Sequence, residues 1–271
     1  MKPISNIAFY CCGVRMQDAV EESPICSDIY AKLFMDGYGR HIYDEFKDEV
    51  CTNASILIRH RIIDDVLRNM LVSNPDLCVV SIGAGFDSRP YRLAGGIWFE
   101  LDEPLVMTYK NVRLPTSECA NPLRRIPIDF CTDSLEEKLS VISRASQIVF
   151  ILEGVFIYLN QYETKKILEA FSSLFPQHQL ICDLVTREMV EGYGRKLQEI
   201  AAKMGAPFKA IDKPESIFLT YGYKVKNKIS IVEVSVDLGI NKIPKFIWKY
   251  YFNREIKGNS VYVLDNTPTT I

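Results

Sequence analysis

The sequence lacks the long apolar runs that mark membrane-spanning and secreted chains. No apolar stretch in its 271 residues approaches the ~20 residues that a bilayer-spanning helix needs. Its first twenty residues hold a single lysine and a short apolar patch broken by Cys11-Cys12-Gly13, which is too short and too polar for a secretory signal peptide. We therefore expect a cytoplasmic protein without a membrane partner.

Metal-ligand spacings are also missing. None of the eight cysteines forms a Cys-x-x-Cys pair, and none of the three histidines stands at ligand spacing from a cysteine. Without a secretory signal, the cysteines are expected to be free thiols in a reducing compartment. The sequence predicts no metal site.

The net charge of the chain is close to zero, and no linker-like segment separates domains. The net charge is -2, and basic residues are interspersed with acidic ones, which gives no electrostatic indication of nucleic acid binding. No repeat and no Gly/Ser/Pro-rich linker interrupts a sequence that is 48% hydrophobic. We expect one domain over residues 1–271, with a helical amino-terminal segment (1–75), a core (77–185), and a helical insertion followed by carboxyl-terminal strands (186–271).

Apolar spacing predicts a doubly wound α/β fold. From Ala54 to Leu71, apolar residues recur every three or four positions, as in an amphipathic helix. Short apolar strands alternating with helices then indicate a mostly parallel sheet that is covered on both faces. The predicted strands are Leu77–Ile82, Ile97–Leu101, Arg125–Ile128, Ile148–Leu152 and Leu180–Val185.

The carboxyl-terminal part has a different pattern. Residues 187–215 are polar and predict a helical insertion. Ile229–Val236 alternates with period two, and Ser260–Leu264 is another apolar run, with no clear crossover helix between them. We expect these two segments to form an antiparallel pair at the end of the sheet.

Acidic residues follow the predicted strands. The first strand runs into Gly83-Ala84-Gly85, and the next three end at Asp102, Asp129 and Glu153. Ligands of open α/β sheets bind beyond the carboxyl ends of the strands. Asp102 comes 19 residues after Gly83, a spacing that suits an acid accepting both hydroxyls of a ribose. The Gly-x-Gly alone is weak evidence, because any tight strand-to-helix turn can contain it.

The third glycine of the dinucleotide-binding fingerprint is absent. The chain reads Gly83-Ala-Gly85-Phe-Asp87-Ser88, with an acid where a pyrophosphate would meet the helix. This disfavours a nicotinamide-dependent reductase. S-adenosylmethionine has no phosphate and carries an ammonium, a sulfonium and a ribose, so a ring of carboxylates that includes Asp87 suits it better.

One arginine lies on the apolar stripe of the first long helix. Arg59 shares that stripe with Ile63 and Val66, so it must be paired, either with a ligand carboxylate or with an internal acid. Arg61 falls with Asp65 on the polar face and is expected to be solvated.

Four blocks of sequence occur in order: Arg59–Asp65, Val80–Leu93 (VSIGAGFDSRPYRL), Phe99–Pro104 and Glu153–Leu159. Together they resemble the leucine carboxyl methyltransferase superfamily. This superfamily includes the enzyme that methylates the carboxyl terminus of protein phosphatase 2A, and bacterial members that methylate carboxyl groups in polyketide biosynthesis. Ser81 and Ser88 depart from its pattern, and the segments before residue 50 and after 186 match loosely.

The resemblance implies a Rossmann-like class I methyltransferase fold and a role for each matching residue. Gly83, Ala84 and Gly85 would pass beside the methionine part of S-adenosylmethionine, and Asp102 would hold the ribose. Asp129 and Phe130 would flank the adenine. Glu153 would meet the ammonium, and an arginine of the preceding helix would grip the carboxylate.

The chemistry of the acceptor is inferred from a missing base. A carboxylate nucleophile is already ionised at neutral pH, whereas a phenol or amine needs a general base. His41 and His60 precede the sheet, and His178 is expected in a loop after Pro176, so no histidine is expected at a strand end. We therefore expect a methyl ester on a small-molecule carboxylic acid or a peptide carboxyl terminus. A phenol or hydroxyl O-methyltransferase and a non-catalytic S-adenosylmethionine-binding sensor stay open, and no catalytic residue is nominated.

Overall fold

The computed structural model describes residues 5–142, 147–192, 194–241, 247 and 257–266. In these residues, seven strands form one mixed sheet. The strands are β1 (Cys78–Ile82), β2 (Ile97–Asp102), β3 (Leu123–Pro127), β4 (Ile148–Leu152), β5 (His178–Val185), β6 (Lys224–Ser230) and β7 (Asn259–Asn266).

The strand order is β3-β2-β1-β4-β5-β7-β6. Strands β1 to β5 pair in parallel, and β7 runs antiparallel to both β5 and β6. The order reverses direction between β1 and β4, which is the switch point of a doubly wound sheet. The predicted fold class, a mostly parallel sheet with antiparallel carboxyl-terminal strands, is confirmed.

Helices precede, connect and follow these strands. Short 3₁₀ turns lie at Ala31–Phe34, Thr116–Glu118 and Phe156–Tyr158. The α-helices of the described residues are α1 (Ser5–Asp18), α2 (Gly37–Phe46), α3 (Val50–Ser73), α4 (Arg89–Arg92), α5 (Pro104–Arg113), α6 (Leu135–Leu139), α7 (Gln161–Leu174), α8 (Arg187–Glu191), α9 (Arg195–Lys203), α10 (Ser216–Thr220) and α11 (Ile231–Asp237).

Helices α3 and α7 cover opposite faces of the central strands. The buried stripe of α3, including Ile63 and Leu67, belongs to one core cluster with Val79 and Val149. On the other face, the ring of Phe171 in α7 stacks on Phe150 of β4 with 3.8 Å between centroids. Burial on both sides explains why β1 and β4 are apolar at nearly every position. The helix predicted over Ala54–Leu71 is confirmed within the longer α3.

The strand predicted over Ile229–Val236 is mostly wrong. The strand β6 comes earlier and ends at Ser230, and the apolar residues that follow form α11. The side chain of Ser230 caps α11 by accepting a hydrogen bond from the backbone of Glu233, at the Ser-x-x-Glu spacing of a helix start. This cap overrides the period-two pattern of the sequence. The strand itself lies at the sheet edge and is mostly exposed, with lysines at alternate positions.

The remaining predicted elements occur with shifted ends. Strand β3 begins earlier than predicted and ends at Pro127, which an edge strand tolerates. The segment of residues 187–215 contains α8 and α9. Of the predicted carboxyl-terminal part, residues 242–246, 248–256 and 267–271 lie outside the described residues. Within the described ranges, no helix is long and apolar enough to cross a membrane.

The amino-terminal helices cover the loop that follows β1. Phe86 of this loop packs against Phe9 of α1, with 4.6 Å between ring centroids, and stacks on Phe34 at 5.1 Å. The segment before α3 therefore forms a second core cluster over the carboxyl ends of the strands, where the site lies.

Candidate active site

A cavity of about 1300 Å³ opens over the carboxyl ends of β1, β2, β4 and β5. It lies at the switch point of the sheet, where ligands of this architecture bind. Asp129 is not among the lining residues, and its Oδ1 accepts a hydrogen bond from the backbone of Cys131. The cavity brings together the other eight residues predicted for the site: Arg59, Gly83, Ala84, Gly85, Asp87, Asp102, Phe130 and Glu153.

The glycine turn after β1 is fastened to Asp102. Gly83 and Gly85 have φ angles of +69° and +47°, a region that favours glycine. The backbone N–H of Gly85 donates to Oδ2 of Asp102 at 2.6 Å, and that of Glu103 donates to Oδ1 at 2.7 Å. Both oxygens keep lone pairs for further donors, since each carboxylate oxygen has two acceptor sites. Burial raises the pKa of Asp102 to about 6, against the lowering effect of these two hydrogen bonds.

Arg59 extends from α3 into the cavity and binds two carboxylates there. Its Nε lies 3.1 Å from Oε1 of Glu153, and its Nη1 lies 3.0 Å from Oδ2 of Asp183. These partners are the internal acids that the sequence left open as one alternative. Arg61 pairs instead with Asp65 at 2.7 Å, with both side chains well exposed, as predicted for the polar face.

Asp183 is a site residue that the sequence analysis missed. It lies in β5, and its Oδ1 accepts a hydrogen bond from the backbone of Gly154 at 2.6 Å. The available signal was an acid inside an apolar strand, because a buried carboxylate must find partners. Arg59 and Gly154 are those partners.

Behind the cavity, a second arginine is completely buried. Arg89 has no exposed surface, and it pairs with Asp64 at 2.6 Å, Asp87 at 2.7 Å and Glu153 at 2.8 Å. Burial alone would raise the pKa of Glu153, but Arg89 and His60 hold it well below its usual range. Asp87 and Glu153 are therefore carboxylates fixed in the ionised state at the wall of the cavity.

The histidines differ from expectation in two ways. His178 does not lie in a loop: it begins β5, and its ring contacts the hydroxyl of Tyr223 at 2.6 Å. His60 reaches the cavity wall from α3, where its Nδ1 lies 3.3 Å from Oε2 of Glu153. Burial lowers the pKa of His60, and Arg89 adds to that effect. The ring is packed among charged partners and is not presented to a substrate.

The amino-terminal segment is tied to the glycine loop by a buried ion pair. Arg15 of α1 pairs with Asp28 at 2.9 Å and donates from Nη2 to the carbonyl oxygen of Phe86 at 2.8 Å. Asp28 in turn accepts a hydrogen bond from the hydroxyl of Ser88 at 2.5 Å. Two residues that precede the sheet thus hold both ends of the Phe86–Ser88 segment.

The cavity is strongly acidic. Among its described lining residues, nine carboxyl groups face three basic side chains, and the latter are Arg15, Arg59 and Lys166. Such a lining favours a cationic ligand over a phosphate-bearing one. No group of His, Cys, Asp and Glu in the described ranges is arranged to hold a metal ion. The carboxyl groups belong to Asp87, Asp102, Glu103, Asp133, Glu136, Glu153, Glu163, Glu169 and Asp183.

Comparison with known proteins identifies the family. The family profile described as leucine carboxyl methyltransferase matches residues 11–172. A "Putative S-adenosyl-L-methionine-dependent methyltransferase" of Mycobacterium sp. (strain JLS) is 30% identical over 125 residues, which cover 44% of this chain and 40% of that protein. A second protein of that description, from Frankia alni, is 29% identical over 177 residues, which cover 59% of this chain and 61% of that protein. The chain thus matches less than two thirds of the length of these relatives.

Solved structures share the fold at low sequence identity. A DUF574 family protein from Streptomyces avermitilis has a TM-score of 0.59 at 10% identity, with 89% of this chain and 96% of that chain covered. Magnesium protoporphyrin IX methyltransferase from Synechocystis PCC 6803, solved with bound S-adenosylhomocysteine, has a TM-score of 0.51 at 14% identity, covering 80% and 87%. These similarities support the Rossmann-like fold of the chain.

Asp102 should make nucleoside binding depend on pH. Ribose hydroxyls bind best to the ionised carboxylate, whose pKa in the free protein is about 6. We expect the affinity for S-adenosylhomocysteine to fall as the pH is lowered from 7.5 to 5, by up to about tenfold per pH unit below the pKa. Asp102→Asn should weaken binding by roughly 1.5–3 kcal/mol and abolish this dependence. Calorimetry at several pH values measures both effects, and a wild-type affinity constant from pH 7.5 to 5 would contradict the assignment.

Arg15 should support the cofactor site by holding the loop that follows β1. Arg15→Gln removes the ion pair with Asp28 and frees the carbonyl of Phe86, so we expect S-adenosylhomocysteine to bind about tenfold more weakly, or ~1.4 kcal/mol. Arg15→Lys should restore part of the loss. Arg40→Gln removes a solvent-exposed pair with Asp44 and serves as the matched control. Folded Arg15→Gln protein that binds like the wild type would show that the loop holds its shape without this pair.

Proposed function

Because this chain belongs to the leucine carboxyl methyltransferase family, we propose that it is an S-adenosylmethionine-dependent O-methyltransferase that forms a methyl ester on a carboxylate. The proposal covers the cofactor, the reaction and the acceptor group. The free cysteines of the chain fit a reducing compartment, so we place the reaction in the cytoplasm.

The observation that carries the proposal is the ring of carboxylates at the switch point. Asp87, Asp102, Glu153 and Asp183 surround the cavity at the ends of three strands and in the glycine loop. S-adenosylmethionine presents a sulfonium, an ammonium and a ribose, each of which interacts favourably with a carboxylate. The pyrophosphate of a nicotinamide cofactor would instead meet Asp87 and its neighbours, at an electrostatic cost.

Each part of the cofactor has a partner in this arrangement. We assign the ribose hydroxyls to Asp102 and the adenine to Phe130, whose ring is half exposed to the cavity, with Asp129 nearby in the chain. The ammonium is assigned to Glu153 and Asp183. Arg59, which carries five N–H donors, remains the partner for the methionine carboxylate.

The bound cofactor supplies a methyl carbon activated by positive sulfur, and its transfer to a carboxylate oxygen leaves a neutral thioether without moving a proton. The protein then needs to orient the acceptor and exclude water. His60, the histidine that lines the cavity, is neutral and enclosed by Glu153, Arg89 and Arg92. This lack of an accessible histidine base favours a carboxylate acceptor.

The ester linkage can be tested by its lability. With a radiolabelled methyl donor and candidate carboxylic acids or a cell extract, we expect label that becomes volatile after mild alkali, because a methyl ester releases methanol. A methylated phenol or amine survives this treatment. Heat-inactivated protein gives the background for the measurement.

Other outcomes identify the alternatives. Label that resists alkali would reject the ester and favour a hydroxyl acceptor. S-adenosylmethionine binding without transfer to any acceptor would identify a sensor.

A further inference from the structure

Five uncharged side chains of the cavity lining lie close to one another, and we call the space that they border the apolar chamber. This apolar chamber consists of Tyr10 and Cys11 of α1, Ile56 of α3, Tyr158 and Phe208. The rings of Tyr158 and Phe208 meet edge to face at 5.5 Å between centroids. The hydroxyl of Tyr10 donates to the side chain of Asn53 at 2.7 Å, so the polar tip of that ring is already satisfied.

The chamber adjoins the Arg59–Glu153 pair. Ile56 precedes Arg59 by about one turn of α3, and Tyr158 lies in the 3₁₀ turn that follows Glu153, the partner of Arg59. The residues assigned to the nucleoside, Asp102 among them, belong to β2 and the loop after β3 on the other side of the switch point. An acceptor in the chamber would therefore approach the cofactor from its methionine side.

The cavity is large enough for two molecules. Its volume of about 1300 Å³ exceeds the ~300–1,000 Å³ of pockets that hold one small ligand. The cofactor fills part of this volume, and the apolar chamber contributes to the remainder.

The walls of the chamber suit a side-chain-like apolar body better than an extended peptide. Peptides commonly bind by adding a strand to a free sheet edge. In the described residues the edges of the sheet are β3 and β6, whereas the site lies over the internal strands β4 and β5. The chamber walls are side chains, with no strand edge to pair with a peptide backbone.

We propose that the methyl acceptor is a compact carboxylic acid whose aromatic or branched apolar body packs in the chamber of Tyr10, Cys11, Ile56, Tyr158 and Phe208. This rests on the proposed function. The apolar body lies among the uncharged side chains while its carboxyl group faces the cofactor. Burial of the body supplies the binding energy, and an acid with a hydroxylated body gains less of it. A peptide acceptor brings polar backbone groups that the side chains of the chamber do not pair.

The test is a series of acids that differ in apolar size. Straight and branched alkanoic acids, phenylalkanoic acids, their hydroxylated analogues and a leucine-terminated tripeptide are compared by the kcat/KM of methyl ester formation. We expect kcat/KM to rise roughly fourfold for each methylene that becomes buried, which corresponds to ~0.8 kcal/mol. The tripeptide and the hydroxylated analogues should be the poorest acceptors.

A variant pair locates the effect. Phe208→Ala should lower kcat/KM for the apolar acids at least fivefold and flatten the dependence on size, while the affinity for S-adenosylhomocysteine stays at the wild-type value. Leu219→Ala, an exposed apolar residue of α10 outside the cavity lining, is the matched control. Retained cofactor affinity shows that Phe208→Ala is folded.

The outcomes separate this proposal from the proposed function. One outcome is ester formation that is efficient but highest with the tripeptide, and another is ester formation that is unchanged in Phe208→Ala. Either result would reject the apolar chamber as the acceptor site and leave the proposed methyltransferase activity standing. Transfer to no acid in the series, with S-adenosylhomocysteine still bound, would instead reject ester formation itself.

Discussion

The site depends on the buried guanidinium of Arg89. It joins Asp64 of α3, Asp87 of the glycine loop and Glu153 after β4, all within 2.8 Å and with Arg89 itself fully buried. A charge in this position is tolerable only with its partners in place, and removing one partner of a buried pair costs about 3–5 kcal/mol. The contact therefore fixes the helix, the loop and the strand end relative to one another.

This constraint gives the acids of the site two roles. Glu153 and Asp87 satisfy Arg89 from one side while facing the cavity on the other, so they are held ionised without a ligand. The network continues outward through Arg92, which contacts Asp64 and Ser88, and reaches Asp28 and Arg15 of the amino-terminal segment. Helix α1, which covers the loop after β1, is thus connected to the same network of ion pairs as the proposed cofactor site.

The fold and part of the candidate site could be predicted from the sequence wherever the local pattern of apolar residues agrees with the final structure. The glycine turn, Asp102 and Glu153 could be predicted as neighbours because short apolar runs indicate the strands. The carboxyl ends of parallel strands then meet at one edge of the sheet. Arg59 was found from helical spacing. Asp183 was not predicted because it lies inside an apolar strand. Arg15 and Asp28 were not predicted because Phe86 and Ser88, the loop residues that they bind, lie 71 and 60 residues away in sequence. The sequence predicted a strand where α11 forms because its apolar residues alternate. The Ser230 cap, which starts the helix, is the weaker of the two signals in the sequence.

Calorimetry tests directly whether this acidic cavity binds S-adenosylmethionine. The purified chain is titrated in parallel with S-adenosylmethionine, S-adenosylhomocysteine, NAD and NADP at one pH and salt concentration. We expect the two adenosyl sulfur compounds to bind at one site per chain and the nicotinamide dinucleotides to give no binding heat. Tight binding of NAD, with no response to S-adenosylmethionine, would contradict this expectation.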